Sequence, residues 1–200
     1  MKRRLRLEEV SNPGVLRAME TVPREEFVPE SWRGAAYDDR ALPIACGQTI
    51  SQPAVVAYMT EQLRLGPDDR VLEVGTGSGY QAAVLAELAR KVYSIERIPE
   101  LAESAAARLA RLGYDNVQVQ VGDGTAGWPA AAPFNAIMVT AAGPTIPSAL
   151  LNQLAVGGRL IMPVGEPYGA QVLELVERRT ALETERRELW PVRFVPLIAS

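Results

Sequence analysis

The chain has 200 residues, 48% apolar and 22% charged, which suits one soluble globular domain with a full core. It contains no histidine, so Ser-His-Asp and Cys-His nucleophile arrangements, HExxH metal sites and any imidazole base are excluded. A net charge of −3, from 21 basic and 24 acidic residues, provides no field for gathering nucleic acid or an anionic membrane, and the single Cys46 rules out an intrachain disulfide or a multi-cysteine metal site.

At this size roughly 9,000 Å² of surface is expected to stay exposed, about 30% of that of the extended chain. The N-terminal Met1-Lys2-Arg3-Arg4-Leu5-Arg6 is basic and lacks the apolar segment of a signal peptide, and no apolar run approaches the ~18 residues of a membrane span. A cytoplasmic protein with solvated N-terminal charges is the expectation, and, with no long apolar stripe to advertise an interface, a monomer.

In chain order, Asn12-Pro13-Gly14 precedes a short helical pattern through Met19, and Pro23 to Pro29 reads as a helical turn bounded by prolines. A stretch punctuated by Gly and Pro, residues 41–53, leads into a helix over 53–63, with Pro53 suited to the first turn. From residue 70 strands and helices alternate: strand 70–74, helix 78–90, strand 91–96, helix 99–112, strands 116–121 and 135–140, helix 147–154 and strand 159–163. That alternation predicts an α/β fold with a three-layer, doubly wound, mostly parallel sheet. Residues 170–178 and 184–195 read as two antiparallel edge strands turning near Thr180-Ala181, with Glu177, Arg178, Arg179, Glu185, Arg186, Arg187 and Glu188 forming a solvated face. The whole is one domain: an N-terminal extension with a substrate-side segment (1–64), a cofactor-binding core (65–165) and the C-terminal antiparallel strands (166–200).

The strongest local signal is Val71-Leu72-Glu73-Val74-Gly75-Thr76-Gly77-Ser78-Gly79-Tyr80, a strand entering a glycine turn that opens a helix. Such a turn lets the backbone approach a ligand closely and offers free N–H groups, and a nucleotide-type ligand is expected at the carboxyl ends of the strands. The spacing is GxGxG, not the GxGxxG of dinucleotide binders. Glu96, about 20 residues past the turn, is placed to accept both hydroxyls of a ribose. Asp123, in Val121-Gly122-Asp123-Gly124, ends the next strand and suits an adenine amino group. Together these describe an adenosine-shaped site. Cys46 and Trp128 are expected to be incidental or packing residues.

The combination of Glu73 to Tyr80, Ser94-Ile95-Glu96-Arg97, Gly122-Asp123-Gly124 and Gly157-Gly158-Arg159-Leu160 resembles class I S-adenosylmethionine-dependent methyltransferases. Ala41-Leu42-Pro43-Ile44, Gly47-Gln48-Thr49-Ile50-Ser51-Gln52-Pro53 and Arg193-Phe194-Val195-Pro196-Leu197 more specifically resemble the protein-L-isoaspartate O-methyltransferase family, over about residues 22–197. The resemblance implies transfer of a methyl group from S-adenosyl-L-methionine, leaving S-adenosyl-L-homocysteine, to the α-carboxylate of L-isoaspartyl residues in damaged peptides and unfolded segments; the ester then collapses to a succinimide. It implies Ser51 as the active-site hydroxyl, Gln48, Thr49 and Ile50 beside substrate and donor, and Leu42, Pro43, Ile44, Val195 and Pro196 lining the peptide site. Gly75, Thr76, Gly77, Gly79, Glu96, Arg97, Asp123 and Gly124 would hold the donor, with Thr140 near the reaction centre. No metal and no nucleic acid are implied. The chain departs from the family pattern at Ala54, where many relatives carry His, and at Ala45-Cys46, and it ends three residues after Leu197, so a donor contact from a longer tail is not expected. A methyltransferase for another acceptor, and a non-catalytic module that binds the donor, are the alternatives.

Overall fold

In a computed structural model of the protein, residues 10–167 and 169–199 are described; the basic cluster at residues 2–6 lies outside them. The accessible surface is 9,732 Å², close to the size-based expectation. The first helix, α1 (Pro13–Thr21), starts where the sequence places it: Pro13 occupies the first turn and the Asn12 side chain accepts from the N–H groups of Gly14 and Val15. Two 3-10 turns, Arg24–Phe27 and Glu30–Ala35, follow. The Gly- and Pro-punctuated stretch closes into a small antiparallel hairpin, β1 (Leu42–Pro43) with β2 (Thr49–Ile50), in register Leu42↔Ile50 and Pro43↔Thr49. It delivers the chain into α2 (Pro53–Leu63).

The alternating core then runs β3 (Arg70–Val74), α3 (Tyr80–Ala86), β4 (Lys91–Glu96), α4 (Pro99–Arg111), β5 (Val117–Val121), β6 (Phe134–Val139), α5 (Ser148–Gln153) and β7 (Leu154–Gly165). Two antiparallel strands, β8 (Gln171–Arg178) and β9 (Thr184–Val192), complete a seven-stranded sheet of order β5-β4-β3-β6-β7-β8-β9. The first five in that order are parallel, as expected. Strand order reverses between β3 and β6, which opens a crevice at their carboxyl ends, where open α/β sheets bind ligands. Apolar side chains fill both faces: Val71, Leu85, Val92 and Met138 lie in one cluster, Leu72, Ile95, Ile137 and Leu160 in the other.

Three boundaries differ from the sequence pattern. α3 spans seven residues where 78–90 was expected, because Gly79 sits in the left-handed region ahead of Tyr80 and the Leu85 carbonyl takes both Leu88 and Ala89 N–H groups, tightening the far end. β7 begins at Leu154, five residues early. Gly157-Gly158 do not interrupt it but carry it past a register shift opposite Phe134–Ala136. β9 stops at Val192, not at residue 195, and the next residues leave the sheet to cross the end of β6. On the β8–β9 face, Arg179 pairs with Glu185 at the surface and with Glu177, but Glu177 is largely buried and also holds Arg159, and Arg178 donates to the carbonyls of Leu151 and Leu154 where α5 ends.

Candidate active site

The glycine turn leaves β3 at the crevice. Gly75 holds φ +97°, and a Cβ there would run into Thr140 Oγ1, so this position accepts no side chain. Thr140, at the end of β6, donates its hydroxyl to the Gly75 and Val74 carbonyls (2.7 and 3.0 Å), fixing the start of the turn. Gly124 is bare for a similar reason, since a Cβ would meet Val74 Cγ1. The turn is thereby kept low and open to a ligand.

Glu96 ends β4 with its carboxylate nearly buried, accepting from Gly77 N–H through Oε2 (2.9 Å) and from Ile98 N–H through Oε1 (3.0 Å). Each oxygen keeps a further lone pair, as a ribose diol requires. Gly75, Gly77, Glu96, Arg97, Gly124, Thr140 and Val195 line one cavity together with Gln48, Thr49 and Pro196. Thr76 faces inward: its hydroxyl meets Ser94 Oγ at 2.5 Å, and Ser94 in turn donates to Glu73 at 2.5 Å. Glu73 is fully buried, with Oε1 lacking a hydrogen-bond partner; burial, reinforced by the Glu96 charge and opposed by the Ser94 hydrogen bond, pushes its carboxyl up to about 8. Asp123 caps the turn beyond β5, accepting from Thr125 N–H and Oγ1 (2.8 and 2.7 Å), while the adjacent Gly124 does the lining. Gly79 packs under α4.

Across the crevice, Ser51 follows β2. It lines a second cavity with Ile50, Gly75, Thr76 and Thr140, and a third of about 560 Å³ bounded by Asp39, Tyr58, Gln171, Trp190 and Phe194. Thr49 and Thr140 border all three cavities, so the donor-side and groove-side spaces meet at one point. The early end of β9 matters here: Ala142 N–H donates to Val195 O (2.8 Å) and Leu197 N–H to Ala142 O (2.7 Å), which ties Val195 and Pro196 over the mouth. Gln171, not singled out by sequence, clamps this segment by accepting from Phe194 N–H (2.6 Å) and donating to Phe194 O (3.2 Å). Ile44 packs against Gly77 and Pro43 is exposed, whereas Leu42 is wholly buried and supports the hairpin from beneath without reaching the groove. Trp128 packs edge-on to Tyr93 and does not line the donor cavity. Cys46 is exposed; partial desolvation and the Glu100 and Glu96 charges push its thiol up, away from the reactive thiolate. Among the described residues no cluster of acids and cysteine could hold a metal ion.

A turn whose first glycine tolerates no side chain, a nearly buried carboxylate with lone pairs to spare at the next strand end and a cavity joining them fit an adenosine-bearing donor, and with the sheet order they define a class I S-adenosylmethionine-dependent methyltransferase. The family model described as Protein-L-isoaspartate(D-aspartate) O-methyltransferase matches residues 1–200, and the chain belongs to that family. It is 58% identical over 186 residues to Protein-L-isoaspartate O-methyltransferase 2 of Syntrophobacter fumaroxidans, covering 93% of this chain and 75% of the relative. The corresponding protein of Pelobacter propionicus is 55% identical over 191 residues, covering 96% and 85%. A solved protein-L-isoaspartate O-methyltransferase superposes with a TM-score of 0.84 at 31% identity, over 94% of this chain but 62% of that longer chain. A Plasmodium falciparum candidate of the same family, solved with S-adenosyl-L-homocysteine, gives 0.83 at 27% identity over 94% and 92%.

Proposed function

We propose that the protein repairs damaged polypeptides by methylating the α-carboxylate of L-isoaspartyl residues, with Ser51 as the hydroxyl that aims the carboxylate. The observation that carries this reading is the meeting of the two spaces: Thr49 and Thr140 border both the donor-side cavity and the 560 Å³ groove, and Ser51 lines the groove and the intervening cavity beside them. A groove of that size takes several residues of extended chain. Gly75, Gly77, Glu96, Arg97 and Gly124 would hold the donor, and Asp123 would keep Gly124 in place. When bound, S-adenosylmethionine supplies a sulfonium methyl whose C–S bond breaks, with the electron pair left on sulfur, as the carboxylate oxygen forms the new O–C bond.

The acceptor has an ordinary pKa of ~3.5 and is already ionised at neutral pH, so no proton is removed and the absence of histidine costs nothing. What remains is alignment and exclusion of water. Ser51 donates one hydrogen bond without adding a charge. Thr140 holds the donor turn, and Val195 and Pro196 cover the mouth. The reading extends to a cytoplasmic monomer that engages neither nucleic acid nor membrane; the net charge of −3 offers no field for an anionic partner.

The test pairs labelled donor with matched peptides containing isoaspartate or aspartate. Methylation confined to the isoaspartyl peptide is expected; equal labelling of both indicates another acceptor chemistry, and donor binding without turnover indicates a binding module. Ser51→Ala is expected to lower kcat by 10-fold or more with donor affinity little changed, and unchanged turnover removes its role.

A further inference from the structure

We propose that Arg24 is a positioning residue for methyl transfer, fixing the Ser51 peptide against the first turn of α3. It deepens the functional reading above and rests on the role given there to Ser51. Arg24 has no exposed surface. Its Nε donates to Ala36 O and its Nη2 to Ser51 O, each at 2.7 Å, and its guanidinium lies 4.6 Å from the centre of the Tyr80 ring. Nη1 is buried without a hydrogen-bond partner. A buried cation with one donor side unmet is a poor device for stability, since a well-packed apolar side chain of similar size usually does as well or better. Its geometry is directional, which an apolar side chain cannot supply.

Ser51 needs such a device. β2 ends at Ile50 and α2 begins at Pro53, so the peptide carrying the hydroxyl lies between a strand ladder and a helix ladder. From the other flank Asp39 accepts from Ala54 N–H through Oδ1 (3.2 Å) and from the Gln52 side chain through Oδ2 (2.9 Å). The segment is thus gripped on both sides. Tyr80, under the guanidinium, is the first residue of the helix that the glycine turn opens. One side chain therefore touches both the segment bearing the acceptor-side hydroxyl and the helix behind the donor turn. Transfer in line is sensitive to placement, a shift of about 1 Å costing on the order of 100-fold in rate.

The test is a double-mutant cycle on the full-length enzyme with Arg24→Lys, Ser51→Ala and the double variant, reading kcat on an isoaspartyl peptide at saturating donor and peptide. Calorimetric titration with S-adenosyl-L-homocysteine reports the donor-competent fraction and Kd. R24K is expected to bind S-adenosyl-L-homocysteine at full stoichiometry, with Kd within about 3-fold, and to lose roughly 10- to 100-fold in kcat. In the S51A background the same substitution is expected to change kcat by less than about 3-fold, a coupling that a merely structural role does not produce. Equal fold losses in both backgrounds, or full kcat in R24K, overturn the proposal. Full kcat in S51A alone overturns the Ser51 assignment and the route through it, and is read before any Arg24 variant is made. If R24K does not bind S-adenosyl-L-homocysteine, Arg24→Gln carries the cycle with the same criteria.

Discussion

Replacing Glu73 with Gln should change the pH dependence of stability in a direction and over a window that the site defines. Glu73 is sealed under the donor turn, with its carboxyl pushed up to about 8 from an ordinary 4.5. Between these values the folded protein binds a proton that the unfolded chain has released, so stability falls as pH rises from 4.5 to 8; below 4.5 both states hold the proton, and above 8 neither does. The interval of 3.5 units, the difference of the two values, corresponds to about 5 kcal/mol, of which about 3 kcal/mol falls between pH 5 and 7.5. Glu73→Gln keeps the volume and removes the titration. Its amide introduces a constant offset, because one end of the side chain has no partner, but that offset does not vary with pH. Urea unfolding of both proteins at pH 5, 6, 7 and 7.5 should show the variant gaining on the native chain by about 3 kcal/mol across the series. Groups that do not interact with Glu73 titrate alike in both proteins and cancel. Parallel profiles would show that Glu73 is ionised in the fold and would refute the reasoning.

Two further substitutions test how the cleft is built. Gly75→Ala places a methyl group against Thr140 Oγ1 at a φ of +97° and should cost about 2–3 kcal/mol, while weakening S-adenosyl-L-homocysteine in calorimetry; a native-like unfolding midpoint would show that the turn has room. Gln171→Ala frees both backbone groups of Phe194, so KM for an isoaspartyl peptide should rise several-fold with donor Kd unchanged, and an unchanged KM would detach the 193–197 segment from peptide binding.

The parallel core was legible because its signals are local: buried strands read as continuous apolar runs, and the glycines and the acids after β4 and β5 follow from strand-to-turn spacing. Where the pattern misled, tertiary contacts decided. Residues 193–195 alternate like a strand, yet Gln171 takes the backbone of Phe194 and ends the ladder. Gly157 and Gly158 precede the strand expected over 159–163 but lie within β7. Leu42 belongs to a recognisable motif, but in a two-residue strand one side chain points inward and the other outward, and Leu42 is the inward one. Arg24 stands between Pro23 and Glu25 in a proline-bounded helical turn, where nothing local marks it for burial; only the meeting of that turn, the residue after β2 and the start of α3 buries it. The local periodicities that reveal strands and helices carry no information about a contact between residues 24 and 51.

The missing histidine bears on the chemistry more closely once the site is assembled. Glu73 is a group displaced toward neutrality in this cleft, and at first sight it is a substitute base. It cannot act as one: a base has to reach the proton it removes, directly or through one water, and Glu73 is sealed behind Ser94 and Thr76 without bordering any of the three cavities. Thr49 and Thr140 border all three cavities and Ser51 borders two of them, and the carboxylates that line these spaces, Asp39 and Glu96, are engaged by Ala54 N–H and the Gln52 side chain and by Gly77 and Ile98 N–H. A cleft furnished this way is poorly suited to hydroxyl or amine acceptors that must lose a proton, and well suited to a carboxylate that arrives as an anion. The buried charges nearby, Arg24 and Glu96, hold backbone atoms of the two facing segments, which places the structural investment in alignment rather than in proton transfer.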